Sequence, residues 1–169
     1  MQKHSKVTRR DFLRRGAAAS AAGFAVPYLI PSGVLAADGQ PGANDRIGIA
    51  GIGIGRQGEG VLRGALGFKE CRFIGIADVM LPRAEGMCKR LGGEAYQDYR
   101  KLLDRKDVDA IVTATPDHWR ALVTIHACQA GKDVYAEKAL SLTIREGRLM
   151  VEAARKYQRV FQVGSQQRS

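Results

Sequence analysis

From residue 47 onward the hydrophobic positions follow two alternating rhythms. Short apolar runs that read as strands occur at Ile47–Ile52, Phe73–Ala77, Ala110–Ala114, Val134–Ala136 and Val160–Val163, with Tyr96 marking a further short strand. Between them the apolar residues recur every three or four positions. One helical face is Val61, Leu62, Ala65 and Leu66. The next is Ala84, Met87, Cys88 and Leu91, with Pro82 in its first turn and Gly92-Gly93 ending it. Tyr99, Leu102 and Leu103 predict a small helix. Asp117 is the expected cap of a helix whose apolar face is Trp119, Leu122, Val123, His126 and Ala127, stopped by Gly131. Thr143-x-x-Glu146 is a capping box opening a helix through Leu149, Met150, Ala153, Ala154 and Tyr157. Strand and helix alternate without repeats. Crossover helices between parallel strands predict an α/β fold with a doubly wound parallel sheet.

The first strand runs into a glycine cluster, and this gives the sheet a purpose. Gly51-Ile52-Gly53-Ile54-Gly55-Arg56-Gln57-Gly58 contains Gly53-x-Gly55-x-x-Gly58, placed after a strand and before a helix. About twenty residues on, the second strand ends in Asp78. A dinucleotide needs this arrangement. Glycines allow a tight turn and close backbone approach to the pyrophosphate, the helix N-terminus faces the phosphates, and the acid accepts the ribose hydroxyls. The expected architecture is therefore a Rossmann-type sheet binding NAD. Asp78 favours NAD over NADP because a carboxylate repels a 2′-phosphate, whereas Arg83 nearby is able to accept one.

Ligands of open α/β sheets lie beyond the carboxyl ends of the strands. That rule adds Thr115-Pro116-Asp117-His118 and Glu137-Lys138 to the cofactor-binding candidates Gly51, Gly53, Gly55, Gly58 and Asp78. Thr115, Pro116, His118, Glu137 and Lys138 each follow a predicted strand. Lys138 is the candidate catalytic residue, since an amine there can protonate or polarise an alcohol or carbonyl oxygen. His118 is a candidate contact to cofactor or substrate, His126 reads as a core histidine, and Trp119 reads as core. Three cysteines, Cys71, Cys88 and Cys128, without a Cys-x-x-Cys, supply neither a disulfide framework nor a metal site and read as buried thiols.

The net charge of +10 over 169 residues adds little. Residues 1–36 carry six Lys/Arg and one Asp, so half of the excess sits there. The remaining basic residues are scattered, which argues against nucleic acid as a partner. The N-terminus itself reads as an address. Thr8-Arg9-Arg10-Asp11-Phe12-Leu13 precedes an uncharged Ala/Gly-rich stretch broken by Pro27 and Pro31, in the manner of a twin-arginine signal for export to the periplasm. Cleavage is expected after Ala36, with Ala37 the alternative; an uncleaved, membrane-tethering N-terminus is the other reading. Residues 37–44 form the expected linker and 45–169 the Rossmann domain. The twin-arginine route carries folded proteins, which suits a chain that takes up a nucleotide before leaving the cytoplasm.

Taken as a set, Gly51-x-Gly53, Asp78, Thr115-Pro116-Asp117-His118-Trp119, Ala130–Lys138 and Val163-Gly164-Ser165-Gln166-Gln167-Arg168-Ser169 resemble the Gfo/Idh/MocA oxidoreductases, over roughly residues 44–169. The similarity is greatest to the exported branch with twin-arginine signals. The resemblance implies nicotinamide-dependent hydride transfer on a sugar, polyol or sugar acid, with Lys138 as the lysine of the family's Glu-Lys-Pro motif. It leaves room for a homo-oligomer. Three departures stand out. The motif here reads Glu137-Lys138-Ala139, which frees backbone that proline would fix. The Thr-Pro-Asp-x-x-His pattern ends in Arg120. The chain ends at Ser169, near the junction with the family's second α/β domain, so that domain is expected to be absent and the site inactive without it. Two further readings are an NAD-dependent glycosidase relative and a non-enzymatic NAD-binding fragment.

Overall fold

The computed structural model describes residues 41–165 together with Ala36. Residues 1–35 of the expected export signal, residues 37–40 of the linker and Gln166–Ser169 lie outside the described residues. After a 3-10 turn at Ala43–Asp45, strands β1 (Ile47–Ile52), β2 (Cys71–Ala77), β3 (Glu94–Tyr96), β4 (Ala110–Thr113), β5 (Asp133–Ala136) and β6 (Phe161–Val163) alternate with helices α1 (Arg56–Leu66), α2 (Leu81–Leu91), α3 (Tyr99–Leu103), α4 (Asp117–Gln129) and α5 (Ile144–Lys156). All strand pairs are parallel, and the sheet order is β3-β2-β1-β4-β5-β6. The order reverses between β1 and β4, the crevice where such sheets bind ligands. No helix among the described residues is long and apolar enough to cross a membrane.

Each face of the sheet has its own core. Ile49, Ile76 and Val112 pack with Leu62 of α1 and with Ala84, Met87 and Cys88 of α2. Ala50, Ile52, Ile111 and Val134 pack with Leu102, Leu103, Val123, Ala127 and Ala153 on the other side. Alternation along β2 would put Ile74 and Ile76 on one face. They serve opposite cores because the register against β1 skips a residue there: Ile49 pairs with Phe73, but Ala50 pairs with Gly75. A bulge of this kind re-aims every side chain after it, Asp78 included.

The first three helices and α5 follow the pattern read from the sequence. Pro82 lies in the first turn of α2, Gly92 and Gly93 have φ of 77° and 98°, and Thr143 and Glu146 form the reciprocal capping box. Helix α4 differs in two ways. Pro116, not Asp117, holds the cap position, with φ −53° and ψ 150°; Asp117 is the first helical residue and caps nothing. The buried face is also rotated. Trp119 and Leu122 are 44% and 41% exposed, whereas Arg120, Ala121, Val123, Thr124, Ala127 and Cys128 face inward. Small side chains let α4 lie close to the sheet, and the bulky pair is turned outward. Gly131 ends the region after α4 with φ 74°, as expected.

Cys88 and Cys128 are buried and Cys71 is partly so; burial pushes each thiol up from its ordinary pKa. Lys132 is an unexpected buried cation. Its Nζ donates to the Arg105 carbonyl at 2.7 Å, tying the start of β5 to the turn before β4, and burial pulls it below the usual lysine range.

Gly75 tests the closeness of β2 and β3. A Cβ there would collide with the Glu94 backbone, so Gly75→Ala should cost about 1–3 kcal/mol. A Cβ on Gly64 in α1 would meet nothing within 4 Å, and Gly64→Ala should stabilise by about 0.5–1 kcal/mol. Urea unfolding of the two variants checks the contrast: the midpoints should move in opposite directions with unchanged slope.

Candidate functional site

β1 stops where its neighbours stop. The chain turns through Gly53, whose φ is 64°, and its N–H donates to the Ala77 carbonyl at the end of β2 at 2.8 Å. A Cβ on Gly53 would run into the Thr115 side chain beyond β4. The ends of β1, β2 and β4 therefore meet at a residue with no side chain. Gly55 caps α1 in an extended conformation without any side-chain cap, and a Cβ there would meet nothing within 4 Å. Gly58 is tight again: its Cβ would lie 2.8 Å from Ala114 Cβ. These are three different jobs. Gly53 makes the turn, Gly55 leaves open the space in front of the α1 amides, and Gly58 lets α1 approach β4. They match what a pyrophosphate cradle needs. Gly51 does something else. It is buried in β1, where a Cβ would lie 2.6 Å from Ile54 Cγ1, so it is a packing position beneath the turn.

Asp78 follows β2, with its N–H on the Tyr96 carbonyl at 3.0 Å and its side chain 3% exposed. Oδ1 accepts from the Met80 N–H at 2.9 Å, and Oδ2 accepts from Arg83 Nη1 at 3.3 Å. The carboxylate is thus fixed at the mouth of the crevice and shared with a half-exposed guanidinium. Arg83 also lines a cleft of about 490 Å³ between α1 and α2, together with Gly55, Arg56, Pro82 and Arg90. Arg90 is engaged by Glu59, which also pairs with Arg63.

The other end of the crevice is formed by the loops after β4 and β5. Thr115 is buried, with its Oγ1 3.2 Å from Thr113 Oγ1. Glu137 is buried; its N–H donates to the Thr113 carbonyl at 3.0 Å and its Oε2 accepts from the Lys138 N–H at 3.2 Å. Lys138 is exposed, and the Lys138–Ala139 peptide is cis. Arg120 joins the two loops. Its Nη2 donates to the Thr115 carbonyl at 2.5 Å, and its Nη1 donates to the Ala139 carbonyl and, at 2.8 Å, to Asp117 Oδ1. His118, by contrast, is exposed on the first turn of α4, and its ring neighbour is Trp119 at 6.4 Å between centroids. Among the described residues it makes no hydrogen bond or ion pair with the other candidates. His126 is satisfied in the partly buried layer, with Nδ1 2.8 Å from Tyr99 Oη.

A family profile described as "Oxidoreductase family, NAD-binding Rossmann fold" (GFO_IDH_MocA) matches residues 46–165. The chain belongs to this family. Among curated relatives it is 28% identical over 177 residues to a glycosyl hydrolase family 109 protein from Shewanella pealeana, covering 91% of this chain and 38% of the relative. It is 32% identical over 114 residues to an inositol 2-dehydrogenase from Rubrobacter xylanophilus, covering 66% of this chain and 33% of the relative. Its fold matches a 3-ketoreductase from Actinomadura kijaniata, solved with NADP and TDP-benzene, with a TM-score of 0.67 and 28% identity over 70% of this chain and 37% of that one. The chain thus spans about a third of the length of such relatives.

As an oxidoreductase-family domain, the chain has residues that fit a nicotinamide dinucleotide. The open space at Gly55 and the uncapped amides of α1 suit the pyrophosphate, and the fixed carboxylate of Asp78 suits a ribose. Sequence reasoning missed Arg120 as a site residue. Beyond its standing as a missing histidine, the alternative helical phase 120, 123, 124, 127, 128 offers little signal, because its members are too small or polar to read as a core stripe.

Gly55 and Gly58 separate binding from folding. Gly55→Ala should leave the urea midpoint near that of the wild type while weakening NAD and NADP binding by about ten-fold or more, because the new methyl points into the cradle. Gly58→Ala should instead destabilise the fold by about 1–3 kcal/mol. Calorimetric titration beside urea unfolding checks both; a Gly55→Ala protein with full affinity would show that the phosphates lie elsewhere.

Proposed function

We propose that this chain is the dinucleotide-binding part of an enzyme that moves a hydride between NAD and a hydroxyl-bearing carbon of a sugar, polyol or sugar acid. The observation that carries this reading is spatial. The glycine cradle, Asp78 and Lys138 stand at the carboxyl edge of one sheet, on the ends of β1, β2 and β5. A bound nicotinamide would accept or return the hydride. The chain's own part is to bind, orient and move a proton. Gly53, Gly55 and Gly58 shape the phosphate end, and Asp78 holds the ribose. Thr115, Pro116 and Glu137 border the end nearer the chemistry. Lys138 is exposed there, and its Nζ makes no hydrogen bond or ion pair with the described residues. It is the group we assign to the substrate oxygen, giving a proton to a forming alcohol and taking it in the reverse direction. Alignment of the reacting carbon also requires walls that hold the substrate.

NAD is the proposed cofactor in preference to NADP, since the buried Asp78 carboxylate disfavours a 2′-phosphate. Arg83 opposes this by partly neutralising that carboxylate, although at half exposure its attraction is screened. A second reading has the specific support of the glycosyl hydrolase relative, which matches most of this chain. In that reading NAD is retained and a transient oxidation serves glycoside cleavage, with no net NADH. For the cellular setting we propose export to the periplasm through the twin-arginine machinery, on the strength of Arg9-Arg10 and the uncharged stretch behind them; a tethered N-terminus is the alternative. A homo-oligomer is compatible with this reading.

Calorimetry with both nucleotides is expected to show tighter binding of NAD. Asp78→Ala should weaken NAD by about 1–3 kcal/mol, and Arg83→Ala should widen the preference for NAD by removing the cation that a 2′-phosphate could use. Equal affinities in the wild type would remove Asp78 from its assigned role. In the protein that carries this chain, a panel of inositols, sugars and sugar acids should produce NADH in a Lys138-dependent manner. Glycoside cleavage without net NADH would favour the second reading. Arg9→Lys combined with Arg10→Lys should keep the protein in the cytoplasm, because lysine does not reproduce the guanidinium pair.

A further inference from the structure

We infer that Arg120 is a positioning residue for the reacting end of the site: it sets Lys138 by holding the carbonyl of the next residue. This rests on the proposed hydride-transfer reading. Several observations converge on it. Arg120 is 3% exposed, yet it lies at the N-terminal end of α4, beside the carboxyl edge of the sheet. Its guanidinium reaches the Thr115 carbonyl in the loop after β4 and the Ala139 carbonyl in the loop after β5. The two loops flank the same end of the crevice. The backbone ladder that joins their strands gives out just before this point, with the Glu137 N–H on the Thr113 carbonyl as its last bond. Beyond it, Arg120 is the tie between the segment carrying Lys138 and the loop carrying Thr115 and Pro116.

The choice of side chain supports a role beyond filling space. A buried guanidinium is costly to desolvate unless it is well partnered, and its carboxylate here, Asp117, is 48% exposed. An apolar residue would seal α4 against the sheet at less cost. What an apolar residue lacks is a planar fork of donors able to hold two carbonyls at a fixed separation. The two positions at which this chain departs from the Glu-Lys-Pro and Thr-Pro-Asp-x-x-His patterns, Ala139 and Arg120, are also the two that touch. Where the backbone next to Lys138 has lost the restraint of proline, a hydrogen bond to that backbone takes its place. Lys138 Nζ, which makes no bond of its own among the described residues, is aimed only through its backbone.

The test uses Arg120→Lys, which keeps the charge but has a single ammonium, and Arg120→Gln, which keeps one donor group without charge. Cleavage after Lys138 by a lysine-specific endoprotease is compared with cleavage after Lys106, exposed in the turn before β4. NAD affinity is measured by calorimetry. Protection of Lys138 by NAD is measured as the slowing of its acylation, read by mass spectrometry. In the wild type, Lys138 should be cut about ten-fold more slowly than Lys106 despite its exposure, and NAD should slow its acylation. In either variant the cleavage should accelerate about ten-fold and the protection by NAD should be largely lost, while NAD affinity falls by less than about three-fold because the phosphate cradle is untouched. A folded variant with unchanged cleavage and unchanged protection overturns the proposal. So does a parallel collapse of NAD affinity, which would make Arg120 a general staple of the fold. If neither variant folds, the wild type decides: equal cleavage at Lys138 and Lys106 overturns the proposal, and slower cleavage at Lys138 supports it. A wild type that binds NAD but leaves Lys138 unprotected overturns the functional placement of Lys138 and this inference with it, whereas an intact variant overturns the inference alone.

Discussion

The constraint on which the rest of this domain depends is the absence of a side chain at Gly53. Three strand ends converge there, with Gly53 bonded to Ala77 on one side and Thr115 pressed against it on the other. A methyl group at this point would separate β1 from the loop after β4, and the crevice between them is where the sheet order reverses. Everything that positions a ligand is referred to this point. Helix α1 can start at Arg56 only because the turn is this tight, and it can lie against Ala114 only because Gly58 has no side chain either. The cradle is therefore made of backbone shape, held by packing that tolerates almost no added volume.

The two faces of the sheet meet that constraint differently. On the side of α1 and α2 the core is built of Ile, Leu and Met, and ordinary amphipathic helices cover it. On the side of α4 the helix comes close on Ala, Thr and Cys, and its first buried residue is a cation. The bulge in β2 belongs to the same accommodation. It lets Ile74 and Ile76 serve different cores, and it sets the face to which the strand delivers its last residues before Asp78. Among the described residues, five of the seven buried polar residues follow the carboxyl edge of the sheet, namely Asp78, Thr113, Thr115, Arg120 and Glu137, while Thr124 lies in α4 and Lys132 before β5. Most of them bond to backbone, so they fix the loops through which a ligand would be held.

How much of this was legible in the sequence depends on which force was at work. The strands and most helices were readable because apolar periodicity, the Thr143–Glu146 box and the glycine stops act locally. The tight turn at Gly53 and the close approach at Gly58 were readable because the glycine spacing records a backbone requirement directly. Helix α4 was misread in phase. Trp119 and Leu122 carry more hydrophobicity than the Ala, Thr and Cys that in fact face the sheet, and close approach rewards small volume over apolar area. Asp117 looked like a cap because its residue type favours caps, yet the extended Pro116 delivers it into the helix and its carboxylate goes to Arg120. His118 was a reasonable candidate by sequence neighbourhood, but one residue along a helix is a change of direction, and it falls on the exposed side. Arg120 itself was visible only as a missing histidine, since its partners lie in loops that the sequence does not bring together.

The two ends of the site are thus built by different physics, and this bears on how each can vary. At the proposed phosphate end the determinant is the lack of atoms at Gly53, Gly55 and Gly58, so a substitution adds volume either where there is none to spare or in the space assigned to the ligand. At the proposed reacting end the determinant is the placement of two loops beyond the last rung of the ladder. Loops can be placed in more than one way: by a ring that fixes a dihedral angle, or by a side chain that reaches across and holds a carbonyl. Read separately, Ala139 and Arg120 look like two losses from a family pattern. In the structure they are one contact, in which the guanidinium restrains the backbone that proline would have restrained. The departure at one position is then the physical counterpart of the departure at the other, and a motif altered in both places is not thereby a motif abandoned.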